Sequence, residues 1–271
     1  MSTAWASSLL PPRPLGPFVQ SVNEPALACR GADGPDCLNA AEVQTLEKWY
    51  GGPKDSSGRQ IYPGLPRGSE PYWSFWLSLE DEQTWREDKA AVEETLRFYG
   101  FPEDPGPDYD VSNFDFDSDP ARMVETYVDL EASGTELSEF QERGGKLLVY
   151  QGLADADIVP EATRQWYEAL TTDMGGAGAT ADFARLFLVP GMSHCGIPPT
   201  GPGVAHTGFD PLPALERWVE QGIPPESIVM TKTDEAERTE WTRPVCVYPE
   251  VAKYKGTGDI KDAASWACRA S

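Results

Sequence analysis

Two short segments each place a residue capable of acid–base chemistry shortly after an apolar run. The first run, Leu147–Tyr150, leads to Gly152 and then to Asp155. The second, Leu186–Val189, is broken by a Pro-Gly pair and leads to His194. Short apolar runs bounded by turn residues predict buried strands, and open α/β sheets place reactive groups at the carboxyl ends of such strands. An Asp followed by a His in this arrangement matches the second half of a Ser…Asp…His order.

The chain contains two histidines, so few residues are candidates for a general base. We predict that His194 is the base and that Asp155 holds its imidazole at a distance of roughly 2.6–3.2 Å. Two alternatives stay open at this point. His194 is a structural histidine, or Asp157 replaces Asp155 as the acid instead of facing solvent or capping the helix that follows. His206 lies in a Gly/Pro loop and is predicted to be solvated.

The nucleophile that would complete this site is missing from the sequence. The pattern Gly-x-Ser-x-Gly, which marks the strand–turn–helix nucleophile elbow, occurs nowhere in the 271 residues. Ser193 neighbours the base but follows Asp155 along the chain, which is the wrong order for this class of triad. The residues therefore predict an acid and a base without their serine.

The elements around the two apolar runs alternate between strand and helix. A helix is predicted over residues 161–171, a flexible loop over 174–179, and a last helix that contains Leu212, Leu215 and Val219 and ends at Gly222. Residues 228–230 are predicted to form a final edge strand. This β-α-β-α order from 145 to 222 predicts a doubly wound α/β sheet.

The chain before residue 110 is predicted to contain helices and loops but no strand. Asn39 and Glu42 form a capping-box pattern at the start of a helix that ends at Gly51-Gly52. A second helix is predicted to carry its apolar residues on one face and to end at Gly100: Trp85, Val92, Leu96 and Tyr99. Residues 1–25 show no periodicity and no signal-peptide pattern, and we interpret them as disordered or as a mispredicted start.

Alternating aspartates at Asp115, Asp117 and Asp119 suggest a calcium loop. An EF-hand loop requires Gly at its sixth position and Glu at its twelfth, and Pro120 and Thr126 occupy these places. The pattern instead favours a helix capped by Asp119 with a proline at its first position. This helix is predicted to bury four side chains: Met123, Val124, Tyr127 and Val128.

The charge and the cysteines limit the partners and the compartment. A formal net charge of −22 excludes affinity for phosphate backbones and anionic membranes, and no apolar run reaches the roughly 20 residues of a membrane span. Cys29 with Cys37, and Cys246 with Cys268, lack metal-site spacing and predict two local disulfides, which indicate an oxidising compartment. Cys195 is left over. It is either a buried free thiol or half of a disulfide whose other cysteine is not in this chain.

The chain contains the motifs Gly152-Leu153-Ala154-Asp155, Gly191-Met192-Ser193-His194-Cys195, Arg243–Pro249, Tyr254–Ile260, Trp266–Cys268 and Cys29–Leu38. Together these resemble the tannase/feruloyl esterase family of secreted carboxylic ester hydrolases, over roughly residues 25–269. The resemblance implies an α/β-hydrolase fold with a large lid and a serine in a Cys-Ser-x-Gly-Gly elbow. It also implies that Asp155 is the triad acid, that His194 is the base, and that Cys195 is bonded to the cysteine beside the serine.

The resemblance further implies that the chain is the C-terminal portion of such an enzyme. Residues 26–112 would be the remaining part of the lid and residues 113–271 the C-terminal half of the catalytic domain, without the N-terminal strands, the elbow or the family's calcium loop. No cofactor is then expected. The expected substrates are small-molecule or plant-polymer phenolic esters, feruloyl or galloyl, and the chain alone is expected to be inactive. The alternative is a non-catalytic remnant that binds aromatic esters or carbohydrate through Trp73 and Trp76.

Overall fold

The computed structural model of the chain describes residues 27–34, 36–77, 81–127, 132–197, 203–205 and 208–270. Four predictions lie outside this description: the interpretation of residues 1–25, the side-chain burial of Tyr127, the side-chain burial of Val128, and the solvation of His206. Within the described ranges, no helix combines the length and the apolar character that crossing a bilayer requires.

The described part of the chain before Leu147 contains helices and loops and no extended strand. Its helices are α1 (Ala40–Gly51), α2 (Trp73–Trp76), α3 (Glu82–Thr95), α4 (Asp119–Tyr127) and α5 (Ser138–Glu142). The predicted capping box is present at α1, because Asn39 accepts hydrogen bonds from the Ala41 and Glu42 amides while Glu42 accepts one from the Asn39 amide. These bonds satisfy amides that the first helical turn leaves without partners.

The second predicted helix is present as α3, continued by a π-helical turn over Leu96–Gly100. It ends at Gly100, as the sequence predicts. Of its predicted apolar face only Leu96 is buried, whereas Trp85, Val92 and Tyr99 are half-exposed or more. This face of α3 is therefore an apolar surface of the described structure.

The predicted burial of Val124 in α4 is wrong, since 62% of this residue is exposed. Helix α4 packs against the Leu96–Gly100 turn, and Val124 lies about 100° around the helix from Met123, outside that contact. The helix also begins at Asp119 itself. The carboxylate of Asp119 accepts from the Asp115 amide at 2.8 Å, which closes the preceding turn.

The α/β unit contains two parallel strands, β1 (Leu147–Gly152) and β2 (Ala184–Val189), joined through α6 (Pro160–Asp173) and α7 (Ala177–Ala181). Their register pairs Leu147 with Ala184 and Gly152 with Val189, so both strands end at the same level. The predicted loop over 174–179 is partly wrong. Residues 177–181 form a short helix because Thr180, 1% exposed, packs inward and its amide bonds to the Gly176 carbonyl.

The C-terminal residues form α8 (Leu212–Gln221) and two antiparallel hairpins, β3 (Ser227–Thr233) with β4 (Thr239–Cys246), and β5 (Glu250–Tyr254) with β6 (Trp266–Ala270). The strand predicted at 228–230 is present within β3. Its partner was not predicted, because β3 pairs with β4 in a separate two-stranded sheet and not with the parallel pair. The hairpin is joined to the parallel pair by a bridge between Phe187 and Val247.

Strand β2 lies between two apolar clusters. On one side, Phe187 and Val189 pack with side chains from β3, β4, α8 and the residues between β2 and α8: Met192, Val204, Phe209, Ala214, Ile228, Met230 and Val245. On the other side, Ala184 and Leu186 of β2 pack with residues of α6 and of the turn before β2: Tyr167, Leu170 and Phe183. Burial of apolar surface on both faces fixes β2, and with it the segment that carries His194.

Both predicted local disulfides are present. Cys29 is bonded to Cys37 with a Cα separation of 4.9 Å, and Cys246 is bonded to Cys268 with a Cα separation of 5.6 Å. The second bond ties the end of β4 to β6, so it connects the two C-terminal hairpins.

Replacing both Cys246 and Cys268 with alanine is expected to lower the free energy of unfolding by about 3 kcal/mol, because the bond closes the longer of the two loops and restricts the unfolded chain more. The matched control is the Cys29/Cys37 double alanine variant, whose shorter loop predicts a loss of about 2.5 kcal/mol. Urea unfolding followed by tryptophan fluorescence measures both values. An unchanged midpoint for the first variant would contradict the prediction.

Candidate active site

The ends of β1 and β2 are held together by backbone contacts that leave no space for a side chain at Gly152. A Cβ atom at this position would lie 2.3 Å from the Met192 carbonyl oxygen. The Ala154 amide donates to that same oxygen at 2.9 Å, and the Leu153 amide donates to Val189 at 2.9 Å. The segment that carries Asp155 therefore runs directly alongside the segment that carries His194.

Asp155 is 2% exposed, and its carboxylate accepts hydrogen bonds from two backbone amides and one side-chain amide and also contacts His194. Oδ1 accepts from the Asp157 amide at 2.9 Å and from the Ile158 amide at 2.8 Å. Oδ2 accepts from Nε2 of Gln151 at 2.8 Å and lies 3.0 Å from Nδ1 of His194. Buried carboxylates require such partners, because an unpaired charge in the interior is costly.

The predicted contact between His194 and Asp155 is present at 3.0 Å, within the predicted range. Asp157 is the weaker partner of the imidazole, since its Oδ2 lies 3.9 Å from Nδ1 and its side chain is 47% exposed. With Asp155 ionised, Nδ1 carries the hydrogen and Nε2 is the basic nitrogen. No hydrogen bond reaches Nε2 from the residues that the structure describes, and the His194 side chain is 28% exposed.

Ser193 and Cys195, the neighbours of His194, have opposite environments. Ser193 is 1% exposed, and its Oγ accepts a hydrogen bond from the Trp76 indole at 2.9 Å. This hydroxyl is turned away from solvent, in agreement with its exclusion as nucleophile. Cys195 is exposed and has no disulfide partner among the described cysteines, so the interpretation as a buried free thiol is wrong.

Gln151 is a contact of the site that the sequence did not single out. Its Nε2 donates to Asp155, and its Oε1 accepts from the Thr163 hydroxyl at 3.1 Å. The amide is thereby fixed with its donor side toward the carboxylate, and it links helix α6 to the site. A polar residue at the end of an otherwise apolar strand was the available signal.

Aromatic side chains from the helix-and-loop region surround the pair. The Trp76 ring centroid lies 4.8 Å from that of His194 with the ring planes at 70°. Burial, and to a smaller extent the negative charge of Asp155, raise the pKa of the Tyr62 phenol. Both residues lie in segments far from β1 and β2 in the sequence, so spacing patterns do not reveal them.

A groove of about 330 Å³ opens beside Trp76 and is mainly apolar. Its lining residues come from α2, from α3 and from the segments that follow each of these helices: Trp76, Leu77, Trp85, Asp88, Lys89, Val92 and Val111. The one lysine in this lining is paired with Glu93 and with Asp110, which lies 3.3 Å away. The groove therefore offers aromatic and aliphatic surface more than free positive charge.

The three alternating aspartates bind backbone amides of the described loops. Asp115 accepts from the Asp117 amide at 2.9 Å, and Asp117 accepts from the Ser56 amide at 2.7 Å. No group of three or more His, Cys, Asp or Glu side chains in the described ranges is arranged to hold a metal ion. Asp117 thus joins this loop to the one that contains Ser56, while Asp115 and Asp119 accept amides of their own loop.

The fold and the site define a mixed α/β protein in which a buried aspartate contacts a partly exposed histidine at the ends of two parallel strands. Residues 19–269 match the family described as tannase and feruloyl esterase, and the chain belongs to this family. The chain is 36% identical to a mono(2-hydroxyethyl) terephthalate hydrolase of Piscinibacter sakaiensis. The alignment, 281 positions long with its gaps, covers 92% of this chain and 44% of that protein.

Two fungal proteins give the same assignment. A probable feruloyl esterase B-2 of Aspergillus fumigatus is 29% identical over 92% of this chain and 48% of its own length. The crystal structure of feruloyl esterase B from Aspergillus oryzae superimposes with a TM-score of 0.74 and 27% identity, over 91% of this chain and 50% of that one. The chain thus spans about half the length of the relatives that it matches.

Proposed function

We propose that the chain carries the acid–base pair of a carboxylic ester hydrolase of the tannase and feruloyl esterase type. The observation that carries this proposal is the Asp155–His194 contact at the aligned ends of β1 and β2, in which Nδ1 of His194 faces the acid and no described residue is bonded to Nε2. Nε2 takes the proton of an attacking serine hydroxyl and later gives it to the leaving alcohol. Asp155 keeps the hydrogen on Nδ1 and stabilises the imidazolium that forms in between.

The serine itself is proposed to lie in polypeptide outside these 271 residues. The sequence has no nucleophile elbow, and the serine nearest to the base is buried and bonded to Trp76. The exposed Cys195 is proposed to pair with a cysteine beside that serine, in the arrangement that the family resemblance implies. Residues 26–112 then form part of the lid and residues 113–271 the C-terminal half of the catalytic domain.

The proposed substrates are esters of aromatic acids, including feruloyl and galloyl esters of small molecules or plant polymers. The mainly apolar groove beside Trp76 suits an aromatic ring, and the names of the relatives include feruloyl and terephthalate esters. The disulfides Cys29–Cys37 and Cys246–Cys268 suit a secreted protein, since such bonds persist in oxidising compartments.

A second candidate is a non-catalytic module that binds aromatic esters or carbohydrate. Of the two residues named for it above, Trp73 is buried and Trp76 lines the groove. Trp85, also in the lining, is 51% exposed, so the groove still offers aromatic surface. Such surfaces bind planar ligands without any acid–base pair. The module does not explain why a buried carboxylate is directed at His194, so we place it second.

The test compares the 271-residue chain with a longer protein that includes a Cys-Ser elbow encoded upstream. We expect the short chain to be inert toward methyl ferulate, methyl gallate and mono(2-hydroxyethyl) terephthalate, because a covalent acyl intermediate has no residue on which to form. The longer protein is expected to hydrolyse at least one of these esters, as measured by release of the free acid.

Two results would overturn parts of this proposal. Turnover by the short chain that disappears in Ser193→Ala would show that the nucleophile is resident. A longer protein that binds an aromatic ester but hydrolyses none would favour the binding module.

A further inference from the structure

We propose that Trp76 is a positioning residue that holds the turn carrying His194 in its working geometry. The inference rests on the proposed role of His194 as base. It concerns the segment Glu70–Trp76, which belongs to the helix-and-loop region and contacts the site from outside β1 and β2.

The turn that carries His194 is short and contains an unfavourable backbone conformation. His194–Gly196 form a single 3₁₀ turn between two extended residues, Ser193 and Ile197. Within it, Cys195 has a φ of 49°, in the left-handed region that non-glycine residues rarely adopt. Such a conformation is unfavourable and persists only where neighbouring contacts impose it. The turn therefore needs support from other residues.

Trp76 supplies that support at both ends of the turn. Its indole N–H donates to Oγ of Ser193 at 2.9 Å and to the carbonyl oxygen of Ile197 at 2.9 Å. These acceptors lie directly before and directly after the turn. The indole ring also contacts the imidazole edge-to-face, so one side chain limits both the backbone of the turn and the rotation of the imidazole.

Tyr72, one helical turn earlier, holds the chain on the other side of this segment. Its hydroxyl donates to the Gly191 carbonyl at 3.1 Å and accepts from the Gly203 amide at 3.1 Å. Tyr72 is 3% exposed. We call Tyr72 and Trp76 together the aromatic brace, because they fix the start and the end of the stretch that contains His194.

The brace adds a constraint that Asp155 alone does not give. A single hydrogen bond to Nδ1 leaves the imidazole free to tilt, and a displacement of about 1 Å at a catalytic group costs on the order of 100-fold in rate. Loss of the indole N–H lets the turn relax from the left-handed conformation of Cys195. The expected effect is on the chemical step, and ground-state binding of the ester should change little.

The decisive variant is Trp76→Phe, which removes the indole N–H and retains an aromatic ring beside the groove. In the ester-hydrolysing protein we expect kcat to fall roughly 10- to 100-fold while KM changes less than about threefold. Trp73→Phe is the matched control. Trp73 directly follows Tyr72 in the sequence, and its indole N–H donates to Ser69 at 2.7 Å. The substitution therefore removes an indole N–H that is not bonded to the His194 turn.

A second readout does not depend on hydrolysis. The chain has two histidines, so ¹H–¹⁵N correlation spectra of the imidazoles contain two sets of signals, and His206→Ala identifies those of His194. The wild-type signals should show the Nδ1–H tautomer. In Trp76→Phe we expect them to shift toward a mixture of tautomers, and in Trp73→Phe to stay in place. Tyr72→Phe should shift the His194 signals in the same direction as Trp76→Phe. If Trp76→Phe does not fold, Tyr72→Phe is the variant that tests the brace.

The outcomes separate this inference from the proposed function. Changed His194 signals in a protein that hydrolyses no ester would support the brace and contradict the proposed hydrolase function. Three results would overturn the brace: a rise in KM alone, equal effects of Trp76→Phe and Trp73→Phe, or unchanged His194 signals in both brace variants.

Discussion

Replacing His194 with alanine in the ester-hydrolysing protein is expected to lower kcat/KM for aromatic esters by about 10⁴-fold or more. Without the imidazole, the nucleophile loses its proposed proton acceptor, and the described groups that hydrogen-bond to Asp155 do not replace it, because Gln151 and the Asp157 and Ile158 amides are donors. The loss should appear mainly in kcat, since His194 acts in the transition state. Initial rates over a range of ester concentrations measure it.

The matched control for this variant is His206→Ala, which removes the other histidine of the chain. Because the sequence predicts a solvated loop histidine at this position, we expect its kcat/KM to stay within about threefold of the wild-type value. Thermal unfolding of both variants shows whether either loss reflects folding. A large loss in the control with full activity in His194→Ala would exchange the roles of the two histidines.

Asp155→Asn is expected to reduce kcat by about 10⁴-fold with the fold intact, because the substitution fixes the wrong imidazole tautomer. Every group around the carboxylate is a donor. An asparagine NH₂ placed toward His194 forces Nδ1 to accept and moves the hydrogen to Nε2, where the base is needed. An NH₂ placed the other way leaves the Asp157 and Ile158 amides without an acceptor.

Asp157→Asn is the matched control for the acid. Its carboxylate is 3.9 Å from Nδ1 and 47% exposed, so we expect a change of less than about tenfold. The same rate assay and the ¹⁵N imidazole spectra compare the two variants. If Asp157→Asn costs more than Asp155→Asn, the acid has been assigned to the wrong residue.

The contact between Asp155 and His194 could be predicted from the sequence because local patterns place both residues. Each follows an apolar run that forms one of two adjacent parallel strands, and such strands end at a common edge. The capping box at Asn39 was predictable for the same reason, since all its partners lie within one helical turn. Family motifs covered the same residues and added the class of reaction.

The strand partners and the brace could not be predicted in this way. Strand β4 contains Pro244 and is exposed over its first half, so it lacks the apolar alternation that marks a strand. The indole of Trp76 meets Ser193 across 117 positions of the chain. Contacts of this kind are fixed by tertiary packing, and no periodicity within a short window records them.

The aligned ends of β1 and β2 have a consequence for the order in which the site would come apart. Asp155 and His194 both belong to one continuous β-α-β unit, so their contact opens when that unit opens. Trp76 belongs to a different part of the chain, so we expect it to detach first. The contact between Asp155 and His194 then remains, but the imidazole is less tightly oriented. Leu186 and Phe187 are both 0% exposed at the centre of the unit, so hydrogen exchange of their amides reports how long the pair stays formed. Exchange of the Trp76 indole hydrogen reports the earlier opening of the brace.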